Sequence, residues 1–201
     1  MTPKIFAFLL ASLFLASCAQ TRPPELYLLE ARTSAAAKPA RANIDRIGLS
    51  EVKLPAYARN EKIASQTAGN KIVQDDDNRW AEPPEEAVSR TLSQSLETQL
   101  GAAVVVGPFP RGLDPDLRVE VRFNKFLRSE TGAAEMGGQY GILSGDGREV
   151  LLLQTFSITA PASAQDYSSY LNAVSAGLSQ LSQQISRSTR SGKVTRSLRN
   201  G

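Results

Sequence analysis

The chain has 201 residues, 23 Lys and Arg against 20 Asp and Glu, and no histidine. That excludes Ser-His and Cys-His nucleophile pairs and His-ligated zinc or haem, and the lone cysteine, Cys18, leaves no internal disulfide. The positive balance is local: Arg187, Arg190, Lys193, Arg196 and Arg199 close the chain with no acid among them, so the body before them is mildly acidic.

The first element is a targeting segment. Lys4 gives a weakly positive start, Ile5 to Leu15 is apolar, and Ala16-Ser17 supplies small residues before Cys18. The order Leu15-Ala16-Ser17-Cys18 looks like a bacterial lipobox. Cleavage is expected between Ser17 and Cys18, with a diacylglycerol thioether on the Cys18 sulfur and a palmitate-type acyl chain on its new amino group. An ordinary secretory signal or a membrane span is the plainer reading. A span needs about 20 apolar residues, and this run is interrupted at Ser12 and stops at Cys18. The expected partition is a signal peptide at 1–17, a lipidated Cys and tether at 18–24, one domain at 25–186 and a basic, disordered tail at 187–201. The six residues from Ala19 to Pro24 reach at most about 20 Å, so the domain would sit close to its bilayer. Ala19, where an Asp would mark inner-membrane retention, points to the outer membrane facing the periplasm.

Leu26 to Leu29 reads as a first strand, and residues 31–43 as a flexible Ala- and Pro-rich loop. Ile44 to Leu54 alternates loosely and stops at Pro55, and Lys62 to Thr67 and Lys71 to Gln74 flank Ala68-Gly69-Asn70 as a hairpin. Pro83-Pro84-Glu85-Glu86 opens a helix with acids at the positive end of its dipole. Val88, Leu92, Leu96 and Leu100 form its stripe, and Gly101 stops it. Strands follow at Val104 to Val106, at Leu117 to Phe123, and as a hairpin of Gln139 to Leu143 with Val150 to Thr159. A second helix runs from about Gln165 to Ser186, with Tyr167, Tyr170, Leu171, Val174, Leu178, Leu181 and Ile185 on its apolar face. Both stripes suit core packing better than a membrane surface, and few cations flank the Tyr167 to Ile185 stripe until its end. The fold class expected is α+β: a mainly antiparallel sheet with two amphipathic helices packed on one face.

Chemistry is harder to find. Asp75-Asp76-Asp77 lacks the alternating spacing and distal Glu of a calcium loop and reads as an exposed acidic turn. Met136-Gly137-Gly138 and Ser144-Gly145-Asp146-Gly147 do not follow a phosphate-loop pattern and read as turns. No catalytic set, cofactor, metal site or nucleic-acid partner is expected. Trp80 reads first as a core anchor beside the first helix, with partner contact as the alternative.

Four phrases in order carry a family resemblance. They are Tyr27-Leu28-Leu29 soon after the lipobox, Ile47-Gly48-Leu49 leading to Lys53-Leu54-Pro55-Ala56-Tyr57, Asn78-Arg79-Trp80-Ala81-Glu82-Pro83 opening a helix, and Tyr167-Ser168-Ser169-Tyr170 leading to Leu178-Ser179-Gln180-Leu181-Ser182. Over residues 25 to 186 the chain resembles the ABC-type transport auxiliary lipoproteins, the family of the lipoprotein in the paraquat-inducible (Pqi) transport system. The resemblance implies a non-catalytic outer-membrane component of intermembrane lipid transport. It further implies an MCE-domain partner, an ABC permease and ATPase in some systems, and a ring-shaped homo-oligomer. The insert at 31–43 and the basic tail lie outside the matched phrases. From the residues alone a second function stays open, a structural envelope lipoprotein whose basic tail binds anionic surfaces.

Overall fold

The computed structural model describes residues 22–31, 44–163, 166–190 and 194. In chain order its elements are β1 (Glu25–Tyr27), β2 (Arg46–Lys53), β3 (Lys62–Thr67), β4 (Lys71–Trp80), α1 (Pro84–Leu100), β5 (Ala103–Val106), β6 (Leu117–Arg128), β7 (Ala134–Ser144), β8 (Val150–Ala160) and α2 (Tyr167–Thr189).

The strands form one sheet centred on β6. One side of β6 carries β7 antiparallel, and β7 carries β8 antiparallel. The other side forks. The first half of β6 pairs in parallel with β2, from Ile47 opposite Leu117 to Lys53 opposite Arg122, and β2 in turn holds β5 in parallel. The far end of β6 meets β3 at Ser65 opposite Arg128, and beyond it lie β4, antiparallel to β3, and β1, parallel to β4. The α+β class is as expected, but the sheet is mixed, because β1, β2 and β5 all join their neighbours in parallel. Each of those joins spans a long connection, the kind a parallel pair needs. Alternation within a strand shows its two faces and says nothing of its partner's direction.

Both helices lie in one core with the sheet. Val88, Leu92, Leu96 and Leu100 of α1 and Val174, Leu178, Leu181 and Ile185 of α2 are buried, at roughly 1.5–3 kcal/mol for each large side chain removed from water. Gly101 ends α1 in the left-handed conformation at φ 67°, its N–H donating to the Glu97 carbonyl. Asp166 caps α2, accepting from the Ser168 and Ser169 N–H groups at 2.9 and 3.0 Å.

Several boundaries move. The acidic triplet Asp75-Asp76-Asp77, expected as a turn, lies within β4, which bulges over it and continues to Trp80. Met136-Gly137-Gly138, also expected as a turn, lies inside β7, which begins at Ala134 and not at Gln139, and β6 runs past Phe123 to Arg128. At the other end, α2 passes Ser186 to Thr189, the Arg190 guanidinium donates to the Gln99 carbonyl at the close of α1, and Val194 is buried. The tail expected from 187 onward therefore begins as packed helix. Its residues 191–193 and 195–201, the loop at 32–43, and the signal and most of the tether at 1–21 lie outside the described residues.

Candidate functional site

The sheet margin where the N-terminal segment enters is held by polar contacts from three directions. Opposite β3, where Lys62 and Ala64 pair with Arg79 and Gln74, β4 arches out over Asp75–Asn78. The Asp75 carboxylate closes the arch, accepting from the N–H groups of Asp77 and Asn78 at 2.9 and 3.0 Å. It also accepts from the Tyr167 hydroxyl in the first turn of α2. The Tyr167 ring lies 5.8 Å from that of Tyr27, and the Arg128 guanidinium sits 4.7 Å from its centroid. The Tyr27 hydroxyl lies 2.6 Å from a Glu25 carboxylate oxygen and 3.1 Å from the Asn78 side-chain oxygen.

These neighbours shift the titrations. Burial, and then the Asp75 carboxylate, push the Tyr167 phenol up to about 12. The Glu25 hydrogen bond, and then burial, push Tyr27 up to about 12. Burial alone would raise Asp75, but the Tyr167 hydroxyl and the backbone donors outweigh it and hold its carboxyl below the usual range.

The same segment is gripped further along. The Ala81 N–H donates to the Tyr27 carbonyl at 2.9 Å, Arg90 of α1 donates to the Leu29 carbonyl at 2.7 Å, and Ser175 of α2 donates to the Glu30 carbonyl. Leu29 itself is fully buried. Residues 25–30 are thus fastened to β4 and both helices, while Leu26 and Leu28 project outward at 64% and 54% exposure.

Trp80 belongs to that core. It is 4% exposed, with its ring 6.2 Å from Phe126 and 6.5 Å, edge-on, from Tyr170. The partner contact considered for it gives way to packing. Pro55 and Tyr57 are likewise packing residues: Pro55 starts a 3-10 turn, and the Tyr57 hydroxyl accepts from the Phe126 N–H at 3.1 Å. Cys18, the lipid-attachment residue expected from the sequence, lies outside the described residues. Asp76 pairs with Lys62, and among the described residues no three His, Cys, Asp or Glu side chains come together to hold a metal ion. No described helix is long and apolar enough to cross a membrane. The margin can hold and orient a chain segment.

The Tyr27–Asp75–Tyr167–Arg128 cluster joins positions up to 140 residues apart, and the sequence reading missed it. Tyr27 and Tyr167 were legible as apolar positions of a strand and a helix, but nothing local paired them.

Comparison places this architecture among known proteins. A crystal structure of an uncharacterized protein is 22% identical with a TM-score of 0.66, covering 83% of this chain and 98% of that one. Protein XCC0632 from Xanthomonas campestris is 15% identical with a TM-score of 0.67, over 81% of this chain and 92% of its own. At these identities both show a shared fold. No curated protein matches the sequence. The model of the ABC-type transport auxiliary lipoprotein component matches residues 27–186, from the tyrosine of β1 through most of α2, and the chain belongs to that family.

Proposed function

We propose that this chain is an outer-membrane lipoprotein, acylated on Cys18 and facing the periplasm, that serves as a non-catalytic component of an MCE-type intermembrane lipid transport system. Its partners are an MCE-domain protein, with an ABC permease and ATPase behind it, and further copies of itself in a ring. The observation that carries the reading is the family match over residues 27–186, which leaves the lipobox directly ahead of the matched domain. The clamp on residues 25–30 supports it: an anchored component that docks another assembly must carry force from its tether into its core, and here both helices and β4 hold that segment.

The test is co-purification from detergent-solubilised envelopes of the full-length chain with the MCE-domain protein of the same organism, alongside density fractionation of the membranes. The expected result is a complex recovered with outer-membrane vesicles. Recovery with inner-membrane vesicles overturns the location, and failure to bind the MCE-domain protein overturns the transport role. The envelope-structural alternative relies on the basic residues of the tail, and of these Arg190 donates to the Gln99 carbonyl of α1.

A further inference from the structure

The sheet has three margins, and they are not alike. An exposed strand edge is a row of unpaired N–H and C=O groups that natural proteins blunt with short length, proline, charge or a covering group. The β1 margin is three residues long, follows Pro23-Pro24 and begins with Glu25. The β5 margin is four residues long, and the Glu97 side chain of α1 accepts from its Val104 N–H at 3.1 Å. The β8 margin is different. It runs for 11 residues, Val150–Ala160, with no charge and no proline, and among the described residues it pairs only with β7.

Its outward side is also shaped. Leu153 sits opposite Gly141 of β7, which sits opposite Glu120 of β6. With no side chain on Gly141, the sheet face away from the helices has a dent of about 230 Å³ there, floored by Leu143 and walled by Val150 and Leu153, with Glu120 and Arg122 at its rim. Val150 and Leu153 are 60% and 61% exposed. This dent lies level with Glu120, eight residues along β6 from the Arg128 end where β3, β4 and β1 attach, or about 26 Å at strand rise. The dent therefore lies toward the opposite end of the sheet from the tethered margin, while Ala160, at the close of β8, is level with Arg128.

We propose that the free edge of β8 receives one extended strand of a second protein, paired through backbone hydrogen bonds, with an uncharged flank along β8 and one apolar side chain seated over Gly141. Backbone pairing supplies affinity and the dent supplies selectivity, the division of labour of strand addition. A further copy of this chain is the poorer occupant for a head-to-tail contact, because its β1 and β5 margins are blunted and the stretch of β4 that β1 leaves unpaired, residues 71–77, is arched and carries charges at Lys71, Asp75, Asp76 and Asp77. The proposal rests on the transport reading in taking the MCE-domain protein as the source of the strand.

The test measures binding of the mature chain to the periplasmic part of that MCE-domain protein. It compares wild type, Leu153→Lys with Thr155→Lys on the β8 edge, and Gln94→Lys with Gln180→Lys on the exposed faces of α1 and α2 as a control for the same added charge. The β8 pair is expected to weaken binding at least about tenfold and the helix pair to leave it unchanged. Hydrogen exchange on the wild-type chain reads the same surface without substitution: amides of residues 150–160 gain protection on binding. Wild-type binding that neither the β8 pair weakens nor β8 protection accompanies overturns the proposal and leaves the transport reading intact. No wild-type binding overturns both. If the β8 pair instead breaks self-association and spares partner binding, the edge belongs to a second copy and the proposal falls.

Discussion

Tyr167, in the first turn of α2, donates its hydroxyl hydrogen to Asp75, in the arch of β4, and so joins the second helix to the margin of the sheet. The bond is charge-assisted and spans 92 residues of sequence. It has a direct consequence in acid. The folded chain holds Asp75 ionised below its ordinary value of 3.8, so between the two values the unfolded chain binds more protons than the folded one. Stability from this group is present above about pH 3.8 and is lost as pH falls through the lower, folded value. Tyr167→Phe is expected to cost on the order of 1 kcal/mol at neutral pH and to move the onset of acid unfolding upward. Urea midpoints measured at stepped pH check this, and a variant whose acid limb overlays the wild type would contradict it.

The alkaline limb has the opposite sign. Tyr27 and Tyr167 are raised from 10.0 to about 12 in the folded chain. Their contribution is fully present below pH 10 and is lost as pH rises toward 12, because the unfolded chain releases those protons first. Absorbance of phenolate at 295 nm should lag behind that of free tyrosine and then rise together with loss of circular dichroism. Smooth titration of all five tyrosines near 10 would contradict the packing of the cluster.

Two glycines separate backbone from side-chain crowding. A Cβ on Gly138 of β7 would lie 2.0 Å from the Arg122 carbonyl oxygen of β6, a backbone atom fixed by the ladder. A Cβ on Gly177 of α2 would lie 2.0 Å from the Met136 terminal methyl, the far end of a flexible side chain. Gly138→Ala is therefore expected to destabilise by about 2–4 kcal/mol. Gly177→Ala should be close to neutral, the roughly 1 kcal/mol of helix propensity gained over glycine offsetting the shift of Met136. Chemical denaturation of both variants tests the contrast, and equal losses would refute it.

How far the sequence carried the reading follows from which contacts are local. The stripes of α1 and α2 were legible because helical periodicity is a property of neighbours, and Gly101 and the Pro83-Pro84 entry marked the ends of α1 for the same reason. The β7–β8 hairpin was legible from alternation and the Ser144-Gly145-Asp146-Gly147 turn, but Met136-Gly137-Gly138 misled as a second turn: Gly138 lies inside β7, where a bare Cα lets the Arg122 carbonyl approach. The parallel joins of β2 were not, since the partner strand lies beyond α1 and no residue of Arg46–Lys53 carries its direction. The acidic triplet misled because three aspartates suit a turn. Here Asp75 is turned inward to Tyr167 and Asp76 pairs with Lys62, partners that sequence spacing does not connect.

Trp80 offers a spectroscopic check, because it is the only tryptophan in the chain. Packed on Phe126 and Tyr170 at 4% exposure, it should emit well to the blue of free tryptophan and resist quenching by iodide until the chain unfolds. Binding of a partner should leave that emission unchanged. A red, readily quenched emission in the folded protein would return Trp80 to the surface. Trp80→Ala is expected to cost about 3–5 kcal/mol through the cavity it leaves.

The lipid anchor and the fold should be separable. Among the described residues the core cluster begins at Leu29, with Tyr27 packed against it, so Cys18→Ala is expected to leave the packing of the domain unchanged. A single acyl chain binds membranes only marginally, and stable attachment takes more than one. On the proposed reading a lipidated, N-acylated Cys18 supplies several, and the substitution would remove them all. The expected outcome is a chain that is soluble or retains its signal, with a thermal midpoint within about a degree of the wild type, since substitutions away from packed or capped positions shift stability by under about 0.5 kcal/mol. Mass spectrometry of the wild-type amino terminus decides the premise. A diacylglyceryl and acyl adduct on Cys18 supports it, and an unmodified thiol on a membrane-bound chain would show that the attachment is made elsewhere.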